Sequence, residues 1–192
     1  MHRSPVNADP RPKHVAQPGA HPTADAPSPR DARHLRDCLG TFTTGVTIVT
    51  TSAPDGGFVG LTVNSFNSLS LDPPLVLWSL GRRATSVGDF LAARTFAVNV
   101  LVAEQLELAL RFSRPGGNRF EGLSLHEGLG GAPLIAGAIA WFECETRTHQ
   151  IHGDHVLFIG EVKRCARASG RPLVFEGGGF AVAHPLPAEP IE

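Results

Sequence analysis

The chain has 192 residues, of which 42% are hydrophobic and 18% charged, with a formal net charge of −1. That length supports one domain with a real core, and the near-neutral balance excludes the basic field of a nucleic-acid or anionic-membrane binder. No apolar run approaches the roughly 18 residues that a membrane helix needs, and residues 1–30 lack the apolar centre of an export signal. A cytoplasmic protein is expected.

Residues 1–30 hold seven of the 16 prolines and only Val6 and Val15 as larger apolar residues. Such a segment buries too little to offset its ordering entropy, so a disordered tail is expected there. A shorter tail is expected over 186–192, leaving a folded domain over 31–185. Leu35, Cys38, Leu39 and Phe42 recur at helical spacing after Asp31, a candidate N-cap, and predict an opening helix with one apolar stripe.

Gly45 ends that helix, and the β-branched run "VTIVTTS" (46–52) predicts a strand. The turn signal "PDGG" separates it from "FVGLTVNSF" (58–66), its hairpin partner. Period two puts Val59, Leu61 and Val63 on one face and Gly60, Thr62 and Asn64 on the other, with Ser65 where the strand ends. Strands follow at "PLVLWSL" (74–80) and "FAVNVL" (96–101), and a helix at 103–113 with Leu106 and Leu110 facing inward. Residues 138–151 and 154–165 read as a long antiparallel pair. Short strands at close spacing predict a mainly β fold, a barrel with helical decorations.

Cys38, Cys144 and Cys165 are widely spaced and form no CxxC, which fits buried reduced thiols. No GxGxxG follows a strand, and GxxxxGK[ST], HExxH and GxSxG are absent, as is any tyrosine. Three stretches carry chemistry. "GRRATS" (81–86) leads into a helix that Thr85 or Ser86 would cap, beside Arg82 and Arg83. It reads either as a phosphate cradle or as an ordinary capped helix with two solvated arginines. "HQIHGDH" spaces His149, His152 and His155 by three. Residues three apart on a strand point to opposite faces, which disfavours a shared metal and leaves His155 at a strand start facing a pocket. The hydroxyls and amides of 62–70 suit either a planar polar ligand or a polar subunit interface or solvated edge strand.

"LRDCLGTFTTGVTIVTT", "GLTVNSFNSLSLDPPLVLWSL", "FAVNVLVAEQLELALRFS", "NRFEGL" and "GDHVLFIGEV", in this order, resemble the flavin reductase domain family, from about Leu35 to Val174. The resemblance implies a homodimeric FMN-binding split β-barrel that passes hydride from NADH or NADPH to FMN or FAD. It further implies reduced flavin supplied to a partner flavin-dependent monooxygenase. By the same resemblance, Gly45, Val46, Thr47, Thr62, Val63, Asn64 and Ser65 border the isoalloxazine and ribityl chain. Arg83, Thr85 and Ser86 hold the flavin phosphate, and His155 orients the nicotinamide without acid–base work. The chain departs from the family at "PLVFEGGGFAVAHP", where relatives carry a tyrosine with Arg-Gly-Arg, so nucleotide contacts from that end do not carry over. Two other readings are a split barrel that keeps its flavin tightly for another redox role, and a metal-binding module built on the histidines.

Overall fold

The computed structural model describes Ser28 and residues 30–185, so most of both expected tails lies outside the described residues. Internal contacts divide the chain into two units, Met1–Arg36 and Asp37–Glu192. The division falls inside the first helix, α1 (Ala32–Gly40). Asp31 is the N-cap that the sequence suggests: its Oδ1 accepts from the N–H groups of Arg33 and His34 at 2.9 and 3.2 Å. The apolar stripe that predicts α1 is not buried in this chain, since Leu39 and Phe42 are 64% and 72% exposed.

The second unit is built of antiparallel strands. A short strand β1 (Thr44–Gly45) precedes the hairpin β2 (Thr47–Ser52) and β3 (Phe58–Val63). Strands β4 (Asn67–Leu71) and β5 (Pro74–Gly81) pair next, followed by α2 (Val87–Ala92), β6 (Thr95–Val100) and α3 (Leu106–Ser113). Two short strands, β7 (Leu125–Glu127) and β8 (Pro133–Ile135), pair with each other. The long ribbon β9 (Ala140–His152) and β10 (His155–Arg167) comes next, and the hairpin β11 (Leu173–Glu176) and β12 (Gly179–Val182) joins β1 in a small sheet.

The main sheet runs β3-β2-β6-β9-β10-β5-β4. Its two edge strands, β3 and β4, are consecutive in the chain, so the connection at 64–66 must cross from one edge to the other and curl the sheet into a barrel. Ser65 completes that closure. Its Oγ accepts from the Ser79 N–H at 3.0 Å and donates to the Ser79 carbonyl at 3.1 Å, standing in for a ladder pair between the link and β5. The single strand expected over 58–66 therefore stops at Val63, where Asn and Ser turn the chain.

Period two along β2 sends Val49 inward and Ile48 outward, and both are fully buried. Inside the barrel, Trp78 stacks on Phe158 at 4.6 Å and 11°, and Phe90 of α2 and Phe96 meet Trp78 edge-on. Outside, α3 packs Leu108, Ala109 and Phe112 against Ile48, Leu101 and Leu173. These three residues are the buried face of α3, while Leu106 and Leu110, expected inward, lie at its margin. The helix starts later than expected, at Leu106, after a separate 3-10 turn over Ala103–Gln105. Among the thiols only Cys144 is buried, and Cys38 and Cys165 lie at the surface. Burial, with Glu143 and Cys165 nearby, pushes the Cys144 thiol up to about 12. It stays protonated and inert as a nucleophile.

Candidate flavin site at the barrel rim

Strands of the barrel end in exposed polar residues at one rim. Val63 is buried and the next residue, Asn64, is exposed. Leu80 is buried, whereas Arg82, Arg83 and Thr85 are exposed. Val156 is buried, and His155 before it is exposed.

Two of these stretches, some 70 residues apart in sequence, are clasped together. The Arg82 N–H donates to the Asp154 carbonyl at 2.9 Å, and Arg82 Nη1 reaches the Gly153 carbonyl at 3.3 Å. His155 is the ladder partner of Gly81, and a Cβ at Gly81 would lie 3.9 Å from His155 Nε2. His155 Nδ1 shares a hydrogen bond of 2.8 Å with Asp154 Oδ1. That bond, then the charge of His155, with a smaller contribution from Arg83, holds the Asp154 carboxyl below the usual range. Arg82 thus fixes the turn, and Arg83 stays exposed.

The three histidines are not brought together. His149 leans on Phe158 at 5.9 Å, while His152 and His155 are ladder partners flanking the turn. Among the described residues no three His, Cys, Asp or Glu side chains are placed to hold a metal.

The residues expected beside the isoalloxazine fall into two kinds. Gly45 is exposed, and no atom lies within 4 Å of where its Cβ would stand, so its backbone is open to a flat ring. Thr44 Oγ1 beside it is buried with no protein partner. Asn64 presents a solvent-facing amide. The others are engaged by the fold. Val46 is core, its N–H donating to the Leu173 carbonyl and its carbonyl accepting from Leu101. Val63 is also core. The Thr47 hydroxyl donates to the Val63 carbonyl at 2.9 Å, and that of Thr62 to the Ala109 carbonyl at 2.6 Å.

At the expected phosphate end, Ser86 occupies the N-cap position of α2 but makes no side-chain cap bond, and its φ of −85° and ψ of 0° are helical. The expected hydroxyl cap is therefore absent, and the Thr85 hydroxyl at the surface and the mostly buried Ser86 hydroxyl both remain available. Both residues line a cavity of about 340 Å³ with Phe58, Gly60, Asn118 and Arg119. Arg119 is part of the "NRFEGL" stretch, but its position follows from a tertiary contact: Nη1 donates to the Gly60 carbonyl at 2.7 Å. Glycine at 60 is required by packing, since a Cβ there would stand 2.9 Å from both Phe112 and Phe120.

Comparison with known proteins decides the family. The flavin reductase like domain model matches residues 39–184. This chain belongs to that family. It is 46% identical over 154 residues to the FMN reductase (NADH) SmoA of Agrobacterium fabrum, covering 80% of this chain and 87% of that protein. It is 40% identical over 148 residues to the reductase component of the flavin-dependent trigonelline monooxygenase of Acinetobacter baylyi. That match covers 77% of this chain and about half, 48%, of the relative. Among solved structures, the NADH:FAD oxidoreductase SgcE6 of Streptomyces globisporus, in complex with NAD and FAD fragments, superposes with a TM-score of 0.78 at 40% identity. That superposition covers 82% of this chain and 96% of SgcE6. The mainly antiparallel β architecture is thus that of known flavin reductases.

Proposed function

We propose that this protein is an NADH-dependent flavin reductase, an oxidoreductase that supplies reduced FMN or FAD to a separate flavin-dependent monooxygenase. Family membership and the relatives' named activities support the reaction class. The observation of this structure that supports the reading is the clasp of Arg82 onto Gly153 and Asp154, which ties the 81–83 stretch to the turn before His155. A guanidinium suited to a phosphate, that of Arg83, is thereby carried on the stretch tied to the turn that His155 follows. Bound flavin would supply the redox chemistry, accepting hydride at N5 from nicotinamide C4.

The protein's part is positional. Arg83, Thr85 and Ser86 anchor the phosphate, Asn64 meets the polar ring edge, and the open backbone at Gly45 lets the ring approach closely. His155, held by Asp154, orients the nicotinamide carboxamide and moves no proton. Both rings are then kept in register, which is the main service a protein gives a hydride transfer between cofactors.

The working unit is a homodimer in the cytoplasm. Leu39, Phe42 and Leu71 are 64%, 72% and 92% exposed, large apolar side chains that a second copy would cover. No helix among the described residues is long and apolar enough to cross a membrane. The purified chain should oxidise NADH at a rate that rises in proportion to catalytic additions of FMN or FAD. NADH oxidation that stays at the buffer rate whatever flavin is added would defeat the reading.

A further inference from the structure

The clasp at Arg82 joins two exposed segments that have little else to hold them in register. Arg82, Arg83 and Thr85 are exposed on one side, and Gly153, Asp154 and His155 on the other. Gly153 takes a left-handed φ of 59°, and no atom stands within 4 Å of its Cβ position. Among the described residues, the hydrogen bonds that reach Gly153 and Asp154 from outside the β9–β10 ribbon both come from Arg82. The bond from its N–H to the Asp154 carbonyl does not depend on the side chain. The bond from Nη1 to the Gly153 carbonyl needs the guanidinium. Exposed, lightly bonded segments open locally at low cost, so one such bond matters to their order.

The two ends of the clasp carry different functional groups. Arg83 follows Arg82 directly, and its guanidinium makes no hydrogen bond or ion pair among the described residues. Its charge still reaches the turn, where it adds to the bond and charge of His155 in holding the Asp154 carboxyl low. At the other end His155 is the ladder partner of Gly81, and its Nε2 lies 3.9 Å from where a Cβ of that glycine would stand. Its Nδ1 is taken by Asp154 Oδ1 at 2.8 Å, which leaves Nε2 to face a ligand. An anion drawn to Arg83 therefore acts one residue from the clasp, and the imidazole stands one residue beyond its other end.

We propose that Arg82 is a positioning residue that couples the two cofactor sites, so that phosphate held at Arg83 tightens the binding of NADH at His155. The inference rests on the flavin-reductase reading of those two residues. Phosphate at Arg83 orders the 81–83 stretch, and the Arg82 side chain passes that order to the turn that carries His155. Coupling of this kind is reciprocal: whatever factor FMN adds to the affinity for the donor, the donor adds to the affinity for FMN.

Titrations of the full chain with oxidised FMN and NAD+, which do not react with each other, read the coupling as binding. Riboflavin is the control, because it keeps the ring that stacks on nicotinamide and lacks the phosphate. In the unmodified protein FMN should lower the Kd of NAD+ about fivefold more than riboflavin does, the low end of site-to-site couplings. That difference should vanish in Arg82→Ala, and Arg82→Lys, which keeps a cationic donor, should restore most of it. In turnover, Arg82→Ala should raise the KM for NADH about fivefold with FMN and leave it unchanged with riboflavin. The kcat at saturating NADH and the melting temperature should both hold.

Equal effects of FMN and riboflavin on NAD+, or a difference that persists in Arg82→Ala, would overturn the inference while leaving flavin reduction intact. A KM for NADH that rises alike with both flavins would make Arg82 a prop for His155 alone, and would overturn the coupling. Failure of the unmodified protein to reduce any flavin would instead strike the underlying reading, and the binding titrations would still decide the coupling.

Discussion

The barrel interior and the barrel rim are made by the same strands, yet they treat polar groups in opposite ways. In the buried sheet most polar side chains find partners, the Trp78 indole N–H being the exception. Asn99, fully buried, donates to the Ile48 carbonyl and accepts from the Ile135 N–H at 2.7 Å, and the Thr50 hydroxyl donates to the Pro133 carbonyl at 2.6 Å. At the rim, one residue beyond a buried Val63 and next to a buried Val156, Asn64 and His155 face solvent. Fold and site are thus adjacent along the chain but separable in energy. Changes inside should act on stability, and changes at the rim should act on ligands.

The sharpest break of that comparison comes from the interior. Phe158→Ala removes the ring stacked on Trp78 and should cost about 3–5 kcal/mol of unfolding free energy in a denaturant titration. A loss under about 1 kcal/mol would mean that the barrel core is not packed as described. Ser65→Ala tests the seam between the two edges. It leaves the Ser79 N–H and carbonyl without their cross-link and should cost about 1–3 kcal/mol, with flavin affinity changing only as far as the link at 64–66 loosens.

Arg83→Gln tests the rim from the other side. Losing one charge-assisted phosphate contact should weaken FMN binding about tenfold by fluorescence titration, with the melting temperature unmoved. His155→Ala should raise the KM for NADH several-fold while leaving the flavin dissociation constant near its original value. Equal losses for donor and flavin would remove the nicotinamide-orienting role from His155.

Much of the barrel was legible because its long strands are patterned. Residues 47–52, 74–81, 95–100 and the 140–167 ribbon alternate or run apolar over enough residues for period two to be seen. Strands β1, β7 and β8 span two or three residues, too few to carry any period. Strand β4 is an Asn- and Ser-rich edge whose extended form comes from pairing with β5, against its own propensity. The polarity of 62–70 suited either a ligand or a polar interface or edge, and part of it is structural, since Thr62 and Ser65 satisfy backbone groups of α3 and β5. Arg119 at Gly60 and His155 over Gly81 depend on contacts between distant segments, which no local pattern records. The apolar stripe of α1 was readable as a helix but not as an exposed one, because periodicity reveals a face and not what covers it.

Anaerobic stopped-flow mixing of the protein with NADH or NADPH and free FMN, FAD or riboflavin tests the central claim most directly. The account predicts rapid bleaching of FMN or FAD by NADH, far above the rate in buffer, with riboflavin slower because Arg83, Thr85 and Ser86 have no phosphate to hold. Bleaching at the buffer rate with both donors and all three flavins would contradict it.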